Sequence, residues 1–173
     1  MTRFDEHIAV TPAGPDRFAG RIDESWTVVR GPNGGYVAAI VLAALTARLA
    51  DTRRSARSLT VQFMSPPHPG PVVVTTAVER QGRSVAFLSA RLLQDDEVRA
   101  AALAVFAPPR DGVEYDDSRP PDVPLPEDLP PLARAETMPP FFDHWDHRPA
   151  LGAPPFSGAD EAFTGGWMRG AGS

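Results

Sequence analysis

The segment Arg30-Gly31-Pro32-Asn33-Gly34-Gly35-Tyr36 runs directly into the apolar stretch Val37 to Leu45. Its residue types suit a backbone binding site at the start of a helix. Pro32 fits at a helix edge, where its missing N–H removes no bond. Asn33 is a good N-cap. Gly34 and Gly35 are poor helix formers, so two of them in a first turn need a reason. Without side chains they let a ligand approach the backbone closely. The unsatisfied N–H groups and the positive end of the helix dipole then face that ligand. Such a site suits a developing oxyanion or a phosphate. The same residues also fit a tightly packed loop-to-helix junction.

Other reactive side chains are scattered. His7 lies in the polar N-terminus, and His68 sits in Pro66-Pro67-His68-Pro69-Gly70, an exposed turn. His144-Trp145-Asp146-His147 groups metal-capable side chains but lacks a third ligand on an ordered element, so it reads as packing and no metal is expected. Asp95-Asp96-Glu97 is a solvated hairpin. No serine stands in a Gly-x-Ser-x-Gly context, which disfavours an α/β-hydrolase mechanism. The absence of cysteine excludes disulfides, thiol nucleophiles and thiolate ligands.

Composition narrows the class further. The formal charge of −5 and pI near 5.3 exclude an electrostatic nucleic-acid binder. An apolar content of 42% supports a proper core. The N-terminus is too polar and acidic for a secretory signal. The apolar helix is shorter than the ~20 residues that span a bilayer. A cytoplasmic protein with no membrane partner is the expectation. Of the 20 prolines, 13 lie between Pro108 and Pro155, which bars regular structure over most of that stretch. The expected division is therefore a folded unit over 1–107, a Pro-rich linker over 108–140, and over 141–173 the beginning of a truncated second unit. Phe141 to Trp145 and Ala162 to Arg169 read as its strand-like aromatic segments.

The folded unit is legible by period. Phe18 to Ile22 alternates as a short strand. A helix runs from about Gly34 to Ala50, apolar nearly all round and hence buried. Strands are predicted over Leu59–Met64, Val72–Arg80, Val85–Leu93 and Val98–Phe106. The last is alanine-rich, yet it starts a hairpin distance after Leu93. Short connections make antiparallel neighbours. The result is α+β: a long curved antiparallel sheet wrapped around one central helix. One helix cannot cover the faces and edges of such a sheet, so a second copy, in cis or in trans, is expected.

Three segments together resemble the hotdog fold, and within it the acyl-CoA thioesterase family with tandem hotdog units. They are Gly31-Pro32-Asn33-Gly34-Gly35-Tyr36 at the helix start, Ser58 to Pro67 on the next strand, and Glu79 to Leu92 with its Gly82-Arg83-Ser84 turn. The resemblance covers about Thr2 to Ala107. It implies hydrolysis of a fatty acyl-CoA thioester by water attack, with a carboxylate base, Thr and Gln assistance, and a backbone N–H holding the thioester oxygen. Carried over, Gly34 and Gly35 supply the helix-start element. Asn33 stands where relatives have His, and Thr60 and Gln62 hold the strand positions. No Asp or Glu lies on the helix; the resemblance to the two-unit family implies that this carboxylate belongs to the second unit, so the base is expected outside these 173 residues. Tyr36, Ile40, Val41 and Phe63 would line the acyl tunnel, and Arg80 and Arg83 could meet CoA phosphates. No cofactor is implied. The partners are acyl-CoA and a second hotdog unit, from a homodimer or the same chain. A noncatalytic acyl-CoA-binding or structural hotdog half, and a hotdog enoyl-thioester hydratase or dehydratase, remain alternatives.

Overall fold

In a computed structural model, residues 1–153 and 157–171 are described. The chain divides into two units, Met1–Gly112 and Val113–Ser173. The first contains helices α1 (Arg3–His7) and α2 (Gly34–Leu49). Its strands are β1 (Thr11–Pro12), β2 (Arg17–Ile22), β3 (Ser55–Phe63), β4 (Gly70–Gln81), β5 (Ala86–Gln94) and β6 (Glu97–Ala107). They form one antiparallel sheet in the order β1-β2-β4-β5-β6-β3. This is the predicted α+β hotdog: six strands around one long helix.

Alternation sets the two faces. On β5, Ala86, Leu88, Ala90 and Leu92 are buried, and on β6 Ala100, Ala102, Ala104 and Phe106 join them. These residues meet Tyr36, Val37, Ile40, Val41, Ala44, Leu45 and Leu49, the buried side of α2. The alanines of β6 are strand residues because both flanking strands pair with them. Tertiary pairing here overrides helix propensity.

The helix ends at Ala50, in the left-handed region with φ 50°. The Asp51 carboxylate that follows accepts from Arg53 and Arg54. Its pKa falls to about 2, first because of the Arg53 hydrogen bond. Arg54 also donates to the carbonyls of Gly82 (2.9 Å) and Arg83 (3.2 Å), tying the helix end to the β4–β5 hairpin. At the other end of the sheet, buried Gln94 accepts from the His68 amide at 2.8 Å and donates to the His68 carbonyl at 2.9 Å. The β3–β4 turn is thereby fixed to the β5–β6 turn.

The strand after the helix does not pair with its successor. β3 crosses to β6, and its other edge carries no neighbour in the sheet. Register shifts interrupt the ladders at Ala56/Ser58, Val78/Arg80 and Leu92/Leu93.

In the second unit, β7 (Trp145–Gly152) and β8 (Thr164–Gly170) form an antiparallel pair. The strand expected at Phe141–Trp145 is corrected: Pro140–His144 is a 3-10 turn, and the strand begins at Trp145. Pro139 and Pro140 fix φ near −65° and remove two ladder donors, which favours the turn. Side chains supply donors that the Pro-rich segment lacks. The Trp167 indole donates to the Pro124 carbonyl at 2.9 Å, and Arg148 donates to Pro126 and Leu129 carbonyls.

Candidate functional site

The start of α2 is built by a short loop folded on itself. Val28 donates to the Gly31 carbonyl at 2.8 Å, and Asn33 donates to the Trp26 carbonyl at 2.9 Å. Asn33 is the N-cap: its Oδ1 accepts from the Tyr36 amide at 3.2 Å. Its Nδ2 has no partner among the described residues, and neither do the Gly34 and Gly35 amides. Three donors thus stand together at the positive end of a 16-residue helix.

The two glycines are explained by space. A Cβ on Gly34 would lie 3.3 Å from Cζ of Phe63, whose ring covers this turn from the end of β3. A Cβ on Gly35 would lie 3.0 Å from the capping oxygen of Asn33. Phe63 itself is 54% exposed, so helix start and ring form one place open to solvent.

Tyr36, Ile40 and Val41 lie deeper. They are 1%, 0% and 1% exposed. The Tyr36 ring stacks on Trp26 at 4.9 Å. Its hydroxyl accepts from the Asp23 amide and lies 3.1 Å from the carbonyls of His7 and Arg21, either of which can take its proton. Burial raises its pKa, so the phenol stays a neutral donor.

Thr60 and Gln62 point the other way. They lie on the helix-opposite face of the sheet and border a hollow of about 420 Å³. Within one copy of this unit they therefore do not face the Asn33–Gly35 turn. The hollow adds residues that sequence reasoning did not single out: Glu79, Ser89, Arg91 and Leu103. Ser89 Oγ donates to the Glu79 carboxylate. The alternation of β5 could have placed Ser89 and Arg91 on this face. The register shift between Val78 and Arg80, which brings Glu79 beside Ser89, leaves no sequence signal. Arg80 and Arg83 are solvent-exposed, on and just beyond the end of β4.

Among the described residues no group of three or more His, Asp or Glu side chains is placed to hold a metal. No described helix is long and apolar enough to cross a membrane.

Residues 22–107 match the family model of the acyl-CoA thioesterase N-terminal domain. Among solved structures, the chain is similar to a conserved protein of unknown function with a hot dog fold from Alicyclobacillus acidocaldarius. The identity is 29% and the TM-score 0.84, over 99% of this chain and 63% of that one. It is also similar in fold to the acyl-CoA thioesterase II of Mycobacterium marinum. There the identity is 23% and the TM-score 0.68, over 88% of this chain and 56% of that one. This chain thus spans less than two thirds of the length of either relative. No curated protein matches the sequence. With a matching family model, four long strands packed on a capped helix, and its glycine pair at the helix start, the segment 22–107 belongs to the thioesterase family, as an acyl-CoA thioesterase N-terminal domain.

Proposed function

We propose that this chain is an acyl-CoA thioesterase-like hotdog that hydrolyses the thioester of a fatty acyl-CoA. The observation that carries the reading is the pair of free amides at Gly34 and Gly35, in a segment of the thioesterase family. A water oxygen attacks the thioester carbon. The amides hold the oxyanion that forms, and Asn33 Nδ2 positions the carbonyl or the water. The carbon–sulfur bond then breaks, the carboxylic acid leaves with the hydroxyl, and the CoA sulfur takes the water proton. The base for that proton is a carboxylate of a second hotdog unit, since α2 carries no Asp or Glu between Gly35 and Leu49. Residues 141–173 begin such a unit, joined by the linker over 108–140. A homodimer brings a second copy of the same acid-free α2, so it is a partner and not the source of that base, and the open edge of β3 offers its backbone groups for pairing. Thr60 and Gln62 then act toward that neighbour. Phe63 forms the exposed apolar wall toward the acyl chain, with Tyr36, Ile40 and Val41 packed behind it, and Arg80 and Arg83, at the hairpin beside the far end of α2, meet the CoA phosphates of a neighbouring unit's site. The setting is cytoplasmic.

The acid-free helix favours one alternative, a half-unit that binds acyl-CoA without turning it over. Thiol release from a panel of acyl-CoAs by the 173-residue chain, with Asn33→Ala alongside, separates the two. Turnover reduced about tenfold or more by Asn33→Ala supports hydrolysis at this site. A folded protein that binds acyl-CoA but releases no thiol is a binding half. Loss of both binding and release sinks the reading.

A further inference from the structure

The loop that leads into α2 is closed on itself. The Trp26 carbonyl accepts from the Asn33 amide at 2.9 Å, Val28 donates to the Gly31 carbonyl, and Thr27 bridges to Pro32. The Trp26 side chain, 3% exposed, ties the closed end of this loop into the fold. One face of its ring stacks on Tyr36 at 4.9 Å. Phe4 and His7 of α1 meet it edge-on, at 5.4 Å and 6.4 Å. The indole Nε1 donates to His7 Nδ1 at 2.9 Å. Helix α1 is closed by its own capping box between Thr2 and Asp5. It lies outside the segment 22–107 that matches the family model, yet it supplies the acceptor for a buried group of the site's own loop.

We infer that His7 is a positioning residue for the helix start, acting through Trp26 on Asn33, Gly34 and Gly35. The inference rests on the reading of that turn as the thioester site. An indole N–H can only donate, so His7 accepts as a neutral imidazole with its proton on Nε2. That Nε2 lies 3.9 Å from the Asp23 carboxylate. The other tautomer, or an imidazolium, would set N–H against N–H and break the same bond. Without the acceptor, the covered indole N–H has no route to water and the ring must shift. Ring and carbonyl belong to one residue, so the shift reaches the carbonyl that holds the Asn33 amide. The donors at the helix start move with it.

Two variants separate positioning from plain packing. His7→Leu removes the acceptor and keeps an apolar body. His7→Asn puts Oδ1 near the place of Nδ1 and keeps the acceptor. Leu49→Ala, in the last turn of α2, is the control for general loss of stability, with circular dichroism to confirm folding of all three. The readouts are amide hydrogen exchange at Asn33 by NMR, relative to amides in the last turn of α2, and the Kd for hexanoyl-CoA. Loss of one buried hydrogen bond predicts a rise of about tenfold in Asn33 exchange and a similar rise in Kd for His7→Leu. His7→Asn should stay within about threefold of wild type in both. Leu49→Ala should lower Tm and leave the relative exchange at Asn33 and the Kd within about twofold. Nitrogen-15 shifts of the wild-type imidazole should show the proton on Nε2. The inference is overturned by a His7→Leu protein with unchanged Asn33 exchange, by a His7→Asn protein no better than His7→Leu, or by a Leu49→Ala protein that changes Asn33 in the same way. A wild-type chain that does not bind hexanoyl-CoA sinks the proposed function instead. The exchange at Asn33 then decides the inference alone: a rise in His7→Leu upholds it, and no rise overturns it.

Discussion

Replacing Tyr36 by Phe removes one oxygen and keeps the ring. The perturbation isolates a hydroxyl that is covered by protein and stands at a junction of three segments. It accepts from the Asp23 amide at 3.1 Å and donates to the His7 or Arg21 carbonyl, each at 3.1 Å. The stacking on Trp26 survives the change, so no large cavity forms. Two buried neutral hydrogen bonds at ~1 kcal/mol each give a loss of about 2 kcal/mol. For a folded unit of this size that corresponds to roughly 8 °C in Tm. Thermal and urea unfolding by circular dichroism would measure both. The hydroxyl is inside the core, so the affinity for acyl-CoA should stay within about twofold of wild type, under 0.5 kcal/mol. A Tm within about 2 °C of wild type would refute the assignment of this hydroxyl to a structural junction. A rise in acyl-CoA Kd without loss of stability would place it in the ligand site.

Three further outcomes are expected. Ile40→Ala, at a fully covered position on α2, should cost about 3 kcal/mol by urea unfolding, and a loss under about 1 kcal/mol would mean that the helix does not pack on the sheet as described. Gly31 has φ +103°, and a Cβ there would come within 2.7 Å of Cβ of Pro66; Gly31→Ala should destabilise by about 2 kcal/mol or more, and a neutral effect would contradict the loop geometry. His68 has its pKa raised, chiefly by the hydrogen bond to Asp95 at 2.7 Å. Its contribution is therefore full below its ordinary pKa of ~6.5 and is lost as pH rises through the higher folded value. NMR titration of the imidazole should show the raised midpoint, and Asp95→Asn should return it toward the ordinary value; an unchanged midpoint in that variant would exclude Asp95 as the cause.

Much of this protein is legible along the chain because the signals are local. Asn33 before a glycine pair and an apolar run marks the start of α2. The alternation in β4 and β5 and the short connections mark the hairpins. Even the alanine-rich β6 follows from its distance to Leu93. The helix-start donors are visible as a glycine pair, since the reason for glycine there is a short-range one at Gly35, where a Cβ would crowd the capping oxygen of Asn33.

The remainder depends on residues far apart in sequence. Pairing of β3 with β6 is set by which edge remains free once β4, β5 and β6 have formed their hairpins. The ring over Gly34 comes from Phe63, and the partners of the Tyr36 hydroxyl come from α1 and β2 and the loop after it. The register shift beside Glu79 inserts one residue without a local marker, yet it decides that a carboxylate joins Ser89 on the helix-opposite face. Periodicity fixed which residues are strand and helix, because backbone geometry repeats over two or 3.6 residues. Only the tertiary structure decided which strands met and which side chains shared a face, because ladder pairing and burial are energies between distant segments.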